Sequence, residues 1–103
     1  MAGTHTALHF HLVFSTKDRV PMIHADLQPR LYEFIGGVIR RENGTLLSIG
    51  GMPDHLHLLA RLSPSVCLSD FMRALKSKSS GWVHETFPGS SKFAWQPGYG
   101  ALR

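Results

Sequence analysis

Cysteine and long apolar runs are scarce in this sequence, and each shortage excludes a class of protein. The 103 residues include one cysteine, Cys67, so no disulfide can close within the chain. This usage suits a reducing compartment, and we expect a cytoplasmic protein. No apolar run approaches the roughly 18–20 residues of a membrane-spanning helix, so we expect no membrane association. His5, His9 and His11 interrupt the apolar stretch near the N-terminus, which argues against a signal peptide.

Acidic residues are also few. Seven Asp and Glu against eleven Lys and Arg give a formal net charge of +4, and the sequence pI is near 9.7. This balance favours a polyanionic partner, although many unrelated small domains are equally basic. A chain of this length supports one hydrophobic core, and the sequence contains no repeat, linker or low-complexity segment. We therefore expect residues 1–103 to form a single domain.

Hydrophobic periodicity predicts secondary-structure elements in the order β-α-β-β-α-β. Alternating apolar residues indicate strands, and apolar residues at i, i+4, i+7 and i+8 indicate helices. The predicted elements are a strand at 6–16, a helix from 27 to a stop at Asn43-Gly44, strands at 45–49 and 55–62, a helix at 68–82 and a short strand at 92–96. This order is that of the ferredoxin-like fold, an α+β arrangement with a mostly antiparallel sheet and both helices on one face. The first and third strands should be neighbours.

Histidines alternate with apolar residues along two of these strands. His55 and His57 point from one face of the third strand, because successive side chains of a strand point to opposite sides, and His9 and His11 do the same on the first strand. If the helices cover the leucine-bearing face, all four imidazoles lie on the open face. Two imidazoles at this spacing can hold a divalent cation, and four could bind Zn²⁺ tetrahedrally. Solvent-facing histidines without a ligand are the third possibility.

The residues around the third strand resemble a family signature. Residues 52–59 read Met-Pro-Asp-His-Leu-His-Leu-Leu, which resembles the signature of the single-tyrosine HUH transposases of small insertion sequences and of the REP-associated tyrosine transposases. Three further segments resemble that family in the same order along the chain. They are HLVFSTKDR at 11–19, LKSK at 75–78 and WQPGYGA at 95–101.

The resemblance implies a metal-dependent reaction on DNA. It implies that His55 and His57 bind Mg²⁺ or Mn²⁺ and that a homodimer cleaves and rejoins single-stranded DNA beside hairpins through a phosphotyrosine intermediate. In the family, the nucleophilic tyrosine and the third metal ligand lie on a helix after the Gly-Tyr-Gly segment, and nothing in residues 1–103 matches that helix. We therefore expect a C-terminally truncated member. Tyr99 matches the Gly-Tyr-Gly segment, so it is only a remote candidate for the nucleophile, and Tyr32 is expected at the rim of the core.

The missing nucleophile leaves two other functions open. One is a non-catalytic remnant that binds hairpin DNA, and the other is a small zinc-histidine protein. An RNA-binding module of the same topology would need aromatic residues on the exposed faces of its central strands. This sequence has histidines there, which counts against that third class.

Basic and aromatic residues supply the candidate DNA contacts. Lysine and arginine side chains contact phosphates without reading sequence, and aromatic rings stack on unpaired bases. The candidates are Lys17, Arg19, Arg73, Lys76, Lys78, Trp95 and Tyr99. His11 is expected either to support the metal ligands or to contact DNA. Asp54 is expected to form the turn before the third strand, with orientation of a histidine as the alternative.

Overall fold

A computed structural model describes residues 7–102 and confirms the predicted order of elements. The elements are β1 (Leu8–Ser15), a 3₁₀ turn (Lys17–Arg19), α1 (Gln28–Arg41), β2 (Gly44–Met52), β3 (His55–Leu62), α2 (Leu68–Thr86), a second 3₁₀ turn (Pro88–Ser90) and β4 (Gly100–Leu102). Within these residues, neither helix is long and apolar enough to cross a membrane.

The four strands form one sheet in the order β2-β3-β1-β4, and every neighbouring pair is antiparallel. The β1–β3 register runs from Leu8 opposite Leu62 to Ser15 opposite His55. The first and third strands are therefore neighbours, as predicted. This arrangement is the α+β, ferredoxin-like fold expected from the periodicity.

The core lies between the helices and one face of the sheet. Pro29 lies in the first turn of α1. Its missing N–H costs no hydrogen bond there, because the N–H groups of a first helical turn have no partner within the helix. The apolar stripes of both helices meet the inward side chains of β1 and β3, which alternate with exposed ones. The largest fully buried side chains are Leu12, Phe14, Leu27, Leu31, Ile35, Ile39, Leu56, Leu58, Leu62, Phe71, Met72 and Leu75. The outward side chains of β1 and β3 are left on the face without helices.

The last strand lies further along the chain than predicted. In the predicted segment 92–96, only Trp95 makes a β-bridge, with Thr16. The strand proper is β4, which pairs with residues 11–13. Phe93 and Trp95 alternate as strand residues do because both side chains enter the core. Pro97 then lacks an N–H and Gly98 turns the chain with a φ of 84°, so ladder pairing resumes only at β4.

Candidate functional site

The predicted histidine pair, His55 and His57, lies on the open face of the sheet. Their imidazole centroids are 6.3 Å apart, and the rings are inclined by 30°. The ring of His11 on β1 lies 6.1 Å from that of His57. Three imidazoles are thus adjacent on this face, whereas His9 sits at the other end of β1, opposite Arg61.

Gly50 makes room for His57. The two residues are paired between β2 and β3, and a Cβ atom at Gly50 would lie 3.4 Å from Cε1 and 3.6 Å from Nε2 of His57. The imidazole therefore rests directly against bare backbone. At the neighbouring Gly51, a Cβ atom would collide with the carbonyl oxygen of His55. Both glycines of this pair therefore lie where β3 leaves little room for a side chain.

Asp54 holds the first histidine of the pair. Its Oδ1 lies 2.9 Å from Nδ1 of His55, and its Oδ2 accepts a hydrogen bond of 3.1 Å from Nε of Arg19. The hydrogen bond from His55, together with Arg19, holds the pKa of the Asp54 carboxyl below its ordinary value. Asp54 also occupies the turn between β2 and β3, so it has both of the roles considered for it.

Thr16 joins the segment after β1 to the same turn. Its side chain is fully buried, its backbone N–H donates to the Asp54 carbonyl at 3.0 Å, and its Oγ1 donates to the Val20 carbonyl at 2.6 Å. Two consecutive residues in this turn, Asp18 and Arg19, have positive φ of 56° and 58°. The sequence segments 11–19 and 52–59 therefore meet at one place. Sequence reasoning missed Thr16, because a polar residue at a strand end carries no signal that it is buried.

The donor set fits part of a metal site. In residues 7–102, no group of three or more His, Cys, Asp and Glu side chains could hold a metal ion, so the four-histidine zinc hypothesis is contradicted. The histidine pair can supply two imidazole nitrogens. Mg²⁺ and Mn²⁺ prefer oxygen ligands for most of their coordination positions, so the remaining positions suit water and phosphate oxygens.

The basic candidates differ in what their side chains contact. Lys17 and Arg19 lie in the turn beside Asp54 and are exposed. The other three lie on α2, in the helical layer behind the sheet: Arg73 pairs with Asp70 at 2.9 Å, Lys78 pairs with Glu42 at 3.1 Å, and Lys76 donates to the carbonyls of Gln96 and Gly98 at 2.5 and 2.8 Å. Desolvation lowers the pKa of Lys76. Gln96 Oε1 in turn accepts a hydrogen bond of 2.7 Å from the backbone N–H of Asp18, so Lys76 is connected through Gln96 to the turn that contains Lys17 and Arg19.

Trp95 is a core residue, which corrects its assignment as a base-stacking side chain. It is 8% exposed, its ring packs edge-on against Phe14 and Phe93 at 4.7 and 4.9 Å, and its Nε1 donates to Ser79 at 3.0 Å. An unpaired base cannot reach either face of this indole. Tyr99 remains accessible at 39% exposure. It lines a recess of about 250 Å³ between the end of β1 and residues 96–100.

The two tyrosines lie in different surroundings, one at the core and one beside β4. Tyr32 on α1 is half-buried and packs against the core. Tyr99 precedes Gly100, which pairs with Val13, and Val13 in turn pairs with His57. Since neighbouring strands lie about 4.8 Å apart, the backbone near Tyr99 is on the order of 10 Å from that of His57.

Comparison with known proteins finds relatives over most of the chain. Residues 4–103 match the family model described as "Transposase IS200 like". Over 88 residues, the chain is 25% identical to the ISDra2 transposase TnpA of Deinococcus radiodurans, covering 85% of this chain and 63% of that protein. Over 96 residues, it is 28% identical to the transposase for insertion sequence element IS200 of Salmonella typhimurium, covering 93% of this chain and 62% of that protein. The chain thus spans less than two thirds of the length of these curated relatives.

Solved structures share the fold. A crystal structure of a protein described as a transposase from Deinococcus radiodurans superposes with a TM-score of 0.90 at 26% identity, covering 100% of this chain and 83% of that chain. The structure of a REP-associated tyrosine transposase bound to a REP hairpin gives a TM-score of 0.67 at 18% identity, covering 91% of this chain and 54% of that chain. At that identity, the second match supports the shared fold alone.

Proposed function

We infer that this chain, which belongs to the IS200-like transposase family, acts in DNA transposition, with the histidine pair as the metal-binding part of the centre that cleaves DNA. The observation that carries the proposal is the placement of both imidazoles on the open face, with Asp54 bonded to Nδ1 of His55. That bond leaves Nε2 of His55 available to a ligand outside the fold. A pair of solvent-facing histidines with no such role would need no carboxylate behind it.

The proposed metal is Mg²⁺ or Mn²⁺. When bound, the ion would supply Lewis-acid polarisation of the scissile phosphate. His55 and His57 would hold it at the open face, and ligands from outside residues 7–102 would complete its coordination. By the family resemblance, a tyrosine oxygen would attack the phosphorus, form a 5′-phosphotyrosine bond and release a 3′-OH. Tyr99 is the remote candidate for that nucleophile within this chain.

The proposed substrate is hairpin-forming single-stranded DNA. A protein of the same fold has been solved with a REP hairpin, and the net charge of +4 suits such a polyanion. Lys17 and Arg19 are the basic candidates beside the histidine pair, so we propose that they contact the DNA backbone near the cleavage site. Tyr99 is exposed at the same sheet and offers a ring for stacking on an unpaired base.

A homodimer is the proposed assembly. The two-imidazole site is incomplete, and a second subunit would be one source of the missing ligand and nucleophile.

The test compares binding and cleavage of a labelled single-stranded hairpin oligonucleotide with Mg²⁺, Mn²⁺ or a chelator. The variants are His55→Ala/His57→Ala and, as a control, His24→Ala, which changes an exposed loop histidine. A metal-dependent covalent adduct in the wild type and the control, lost in the double variant, would support the proposal and allow the nucleophile to be mapped. Hairpin binding without an adduct would favour the non-catalytic remnant for these 103 residues. A wild-type chain that fails both to bind and to cleave the hairpin would contradict the proposed function.

A further inference from the structure

We propose that Asp54 and Arg19 position His55, fixing its ring and its tautomer so that Nε2 faces the metal ion. The inference rests on the proposed function, because it assigns a purpose to two linked hydrogen bonds that end at a proposed metal ligand. These bonds join Arg19 Nε to one carboxylate oxygen of Asp54 and the other oxygen to Nδ1 of His55. Both residues are therefore positioning residues in this proposal, and neither contacts the reacting atoms.

The tautomer follows from the chemistry of the contact. An ionised carboxylate has lone pairs and no hydrogen, so it can only accept. At 2.9 Å from Asp54 Oδ1, Nδ1 of His55 must therefore carry the hydrogen. A neutral imidazole with Nδ1 protonated has its lone pair on Nε2, which is the atom that can bind a metal ion.

Arg19 orients the carboxylate. Its Nε donates to Oδ2, the oxygen that His55 does not use. The side chain reaches Asp54 because the turn at residues 17–19 places Asp18 and Arg19 in the left-handed region, with φ of 56° and 58°. Non-glycine residues adopt that conformation uncommonly, and aspartate does so more readily than arginine. The buried Thr16 donates from its N–H to the Asp54 carbonyl and from its Oγ1 to the Val20 carbonyl, so it joins both ends of this turn to Asp54.

The second ligand is positioned in another way. His57 has Gly50 beneath its ring and His11 beside it, with ring centroids 6.1 Å apart. Packing therefore sets the ring of His57, whereas a charged hydrogen bond sets that of His55. Loss of Asp54 should accordingly affect one imidazole of the histidine pair and leave the other in place.

The first experiment measures tautomers in the metal-free chain by two-bond ¹⁵N–¹H NMR correlations of the imidazoles. The wild type should show His55 protonated at Nδ1. Asp54→Ala should shift His55 to a mixture dominated by Nε2–H, the commoner form of free histidine side chains, while His57 is unchanged. Asp54→Asn keeps an acceptor oxygen and should retain the Nδ1–H form. Asp70→Ala, which removes the carboxylate of another surface Asp–Arg pair, is the matched control and should change neither histidine.

The second experiment measures Mn²⁺ affinity by electron paramagnetic resonance of the unbound ion. Asp54→Ala should weaken binding by about 10- to 100-fold, the usual effect of removing a carboxylate behind a ligating histidine. Arg19→Gln should weaken it less, and Asp70→Ala should match the wild type. Asp54→Asn removes the charge but keeps the shape of the turn, so its Mn²⁺ affinity shows the effect of the charge alone.

The outcomes separate the two proposals. A wild-type His55 protonated at Nε2, or an Asp54→Ala variant with unchanged tautomer and Mn²⁺ affinity, would overturn the positioning role whatever the chain does to DNA. Mn²⁺ binding that survives His55→Ala/His57→Ala would instead contradict the proposed metal site, and with it the purpose assigned to Asp54. The expected tautomer shift together with weaker Mn²⁺ binding would support both.

Discussion

Asp54 is the residue whose surroundings can be tested by pH. Its hydrogen bond with His55, aided by Arg19, lowers the pKa of its carboxyl below the ordinary value of 3.8. Because the pKa is lower in the folded state than in the unfolded state, this interaction stabilises the fold at pH above the unfolded value, and the stabilisation is lost as pH falls through the lowered pKa. Carboxyl ¹³C shifts of the wild type should show the lowered value, and in Arg19→Gln it should move back towards the ordinary one. An unchanged value in Arg19→Gln would contradict the contribution of Arg19.

Gly50 offers a second test at the residue scale. Because the imidazole of His57 already lies at contact distance from a Cβ atom placed at Gly50, the branched side chain in Gly50→Val should displace the ring. We expect Mn²⁺ affinity to fall by at least tenfold, with little loss of stability because valine suits a strand. Gly89→Val is the control, since a Cβ atom there meets nothing within 4 Å. Equal Mn²⁺ affinity in the two variants would show that Gly50 does not serve the site.

The histidine pair could be predicted from the sequence, and its support could not. The two-residue alternation of strand side chains places both imidazoles on one face whatever the rest of the fold does. The Arg19–Asp54 contact joins residues 35 positions apart, and it depends on a turn with two unusual positive φ values. No periodicity reports such a turn, so Arg19 was expected only as a DNA contact.

Between elements, the most specific contact joins α2 to the segment before β4. Ser79 on α2 is fully buried, donates to the Leu75 carbonyl at 2.7 Å and accepts from Trp95 Nε1 at 3.0 Å. Ser79→Ala would leave a buried indole N–H without its partner, which costs about 1–3 kcal/mol. Urea unfolding should show that loss, and Ser77→Ala, at an exposed position of the same helix, should change the unfolding free energy by less than about 0.5 kcal/mol. Equal effects of the two variants would exclude the buried bond as the cause.

Lys76 connects α2 to the loop that leads into β4. Its ammonium donates to two loop carbonyls, so Lys76→Met should release the loop while keeping the length and apolar part of the side chain. We expect faster hydrogen exchange at the β4 amides and unchanged exchange in β3. Arg73→Met, from the exposed pair on the same helix, is the control. Unchanged exchange at β4 would mean that strand pairing alone holds this segment.

The elements themselves were largely predictable, apart from β4. Two helices and three strands follow from apolar periods of 3.6 and 2 residues. The alternation of Phe93 and Trp95 produced the wrong fourth strand, because side chains that alternate into a core do so with or without a paired backbone. The β4 residues themselves, Gly-Ala-Leu, carry no strand pattern of their own and are positioned by pairing with β1.

At the scale of the whole molecule, the basic residues fall into two sets. The turn with Lys17 and Arg19 lies beside the histidine pair, and Lys76 of α2 is connected to that turn through Gln96. Arg73 and Lys78 of α2 instead pair with acidic side chains. Such exposed pairs contribute little to stability. The basic side chains in them can contact phosphates only when the pairs open. We therefore place the DNA and the metal ion at the open face.

The most direct test of that placement is a map of Mn²⁺ on the protein by paramagnetic broadening of ¹⁵N–¹H NMR signals. We expect broadening centred on His55 and His57 and extending to their paired neighbours on β1 and β2, which are Val13, Ser15 and Gly50. The broadening should disappear in His55→Ala/His57→Ala. Broadening centred on the acidic residues of α1 and α2, or unchanged in the double variant, would contradict a metal site at the histidine pair.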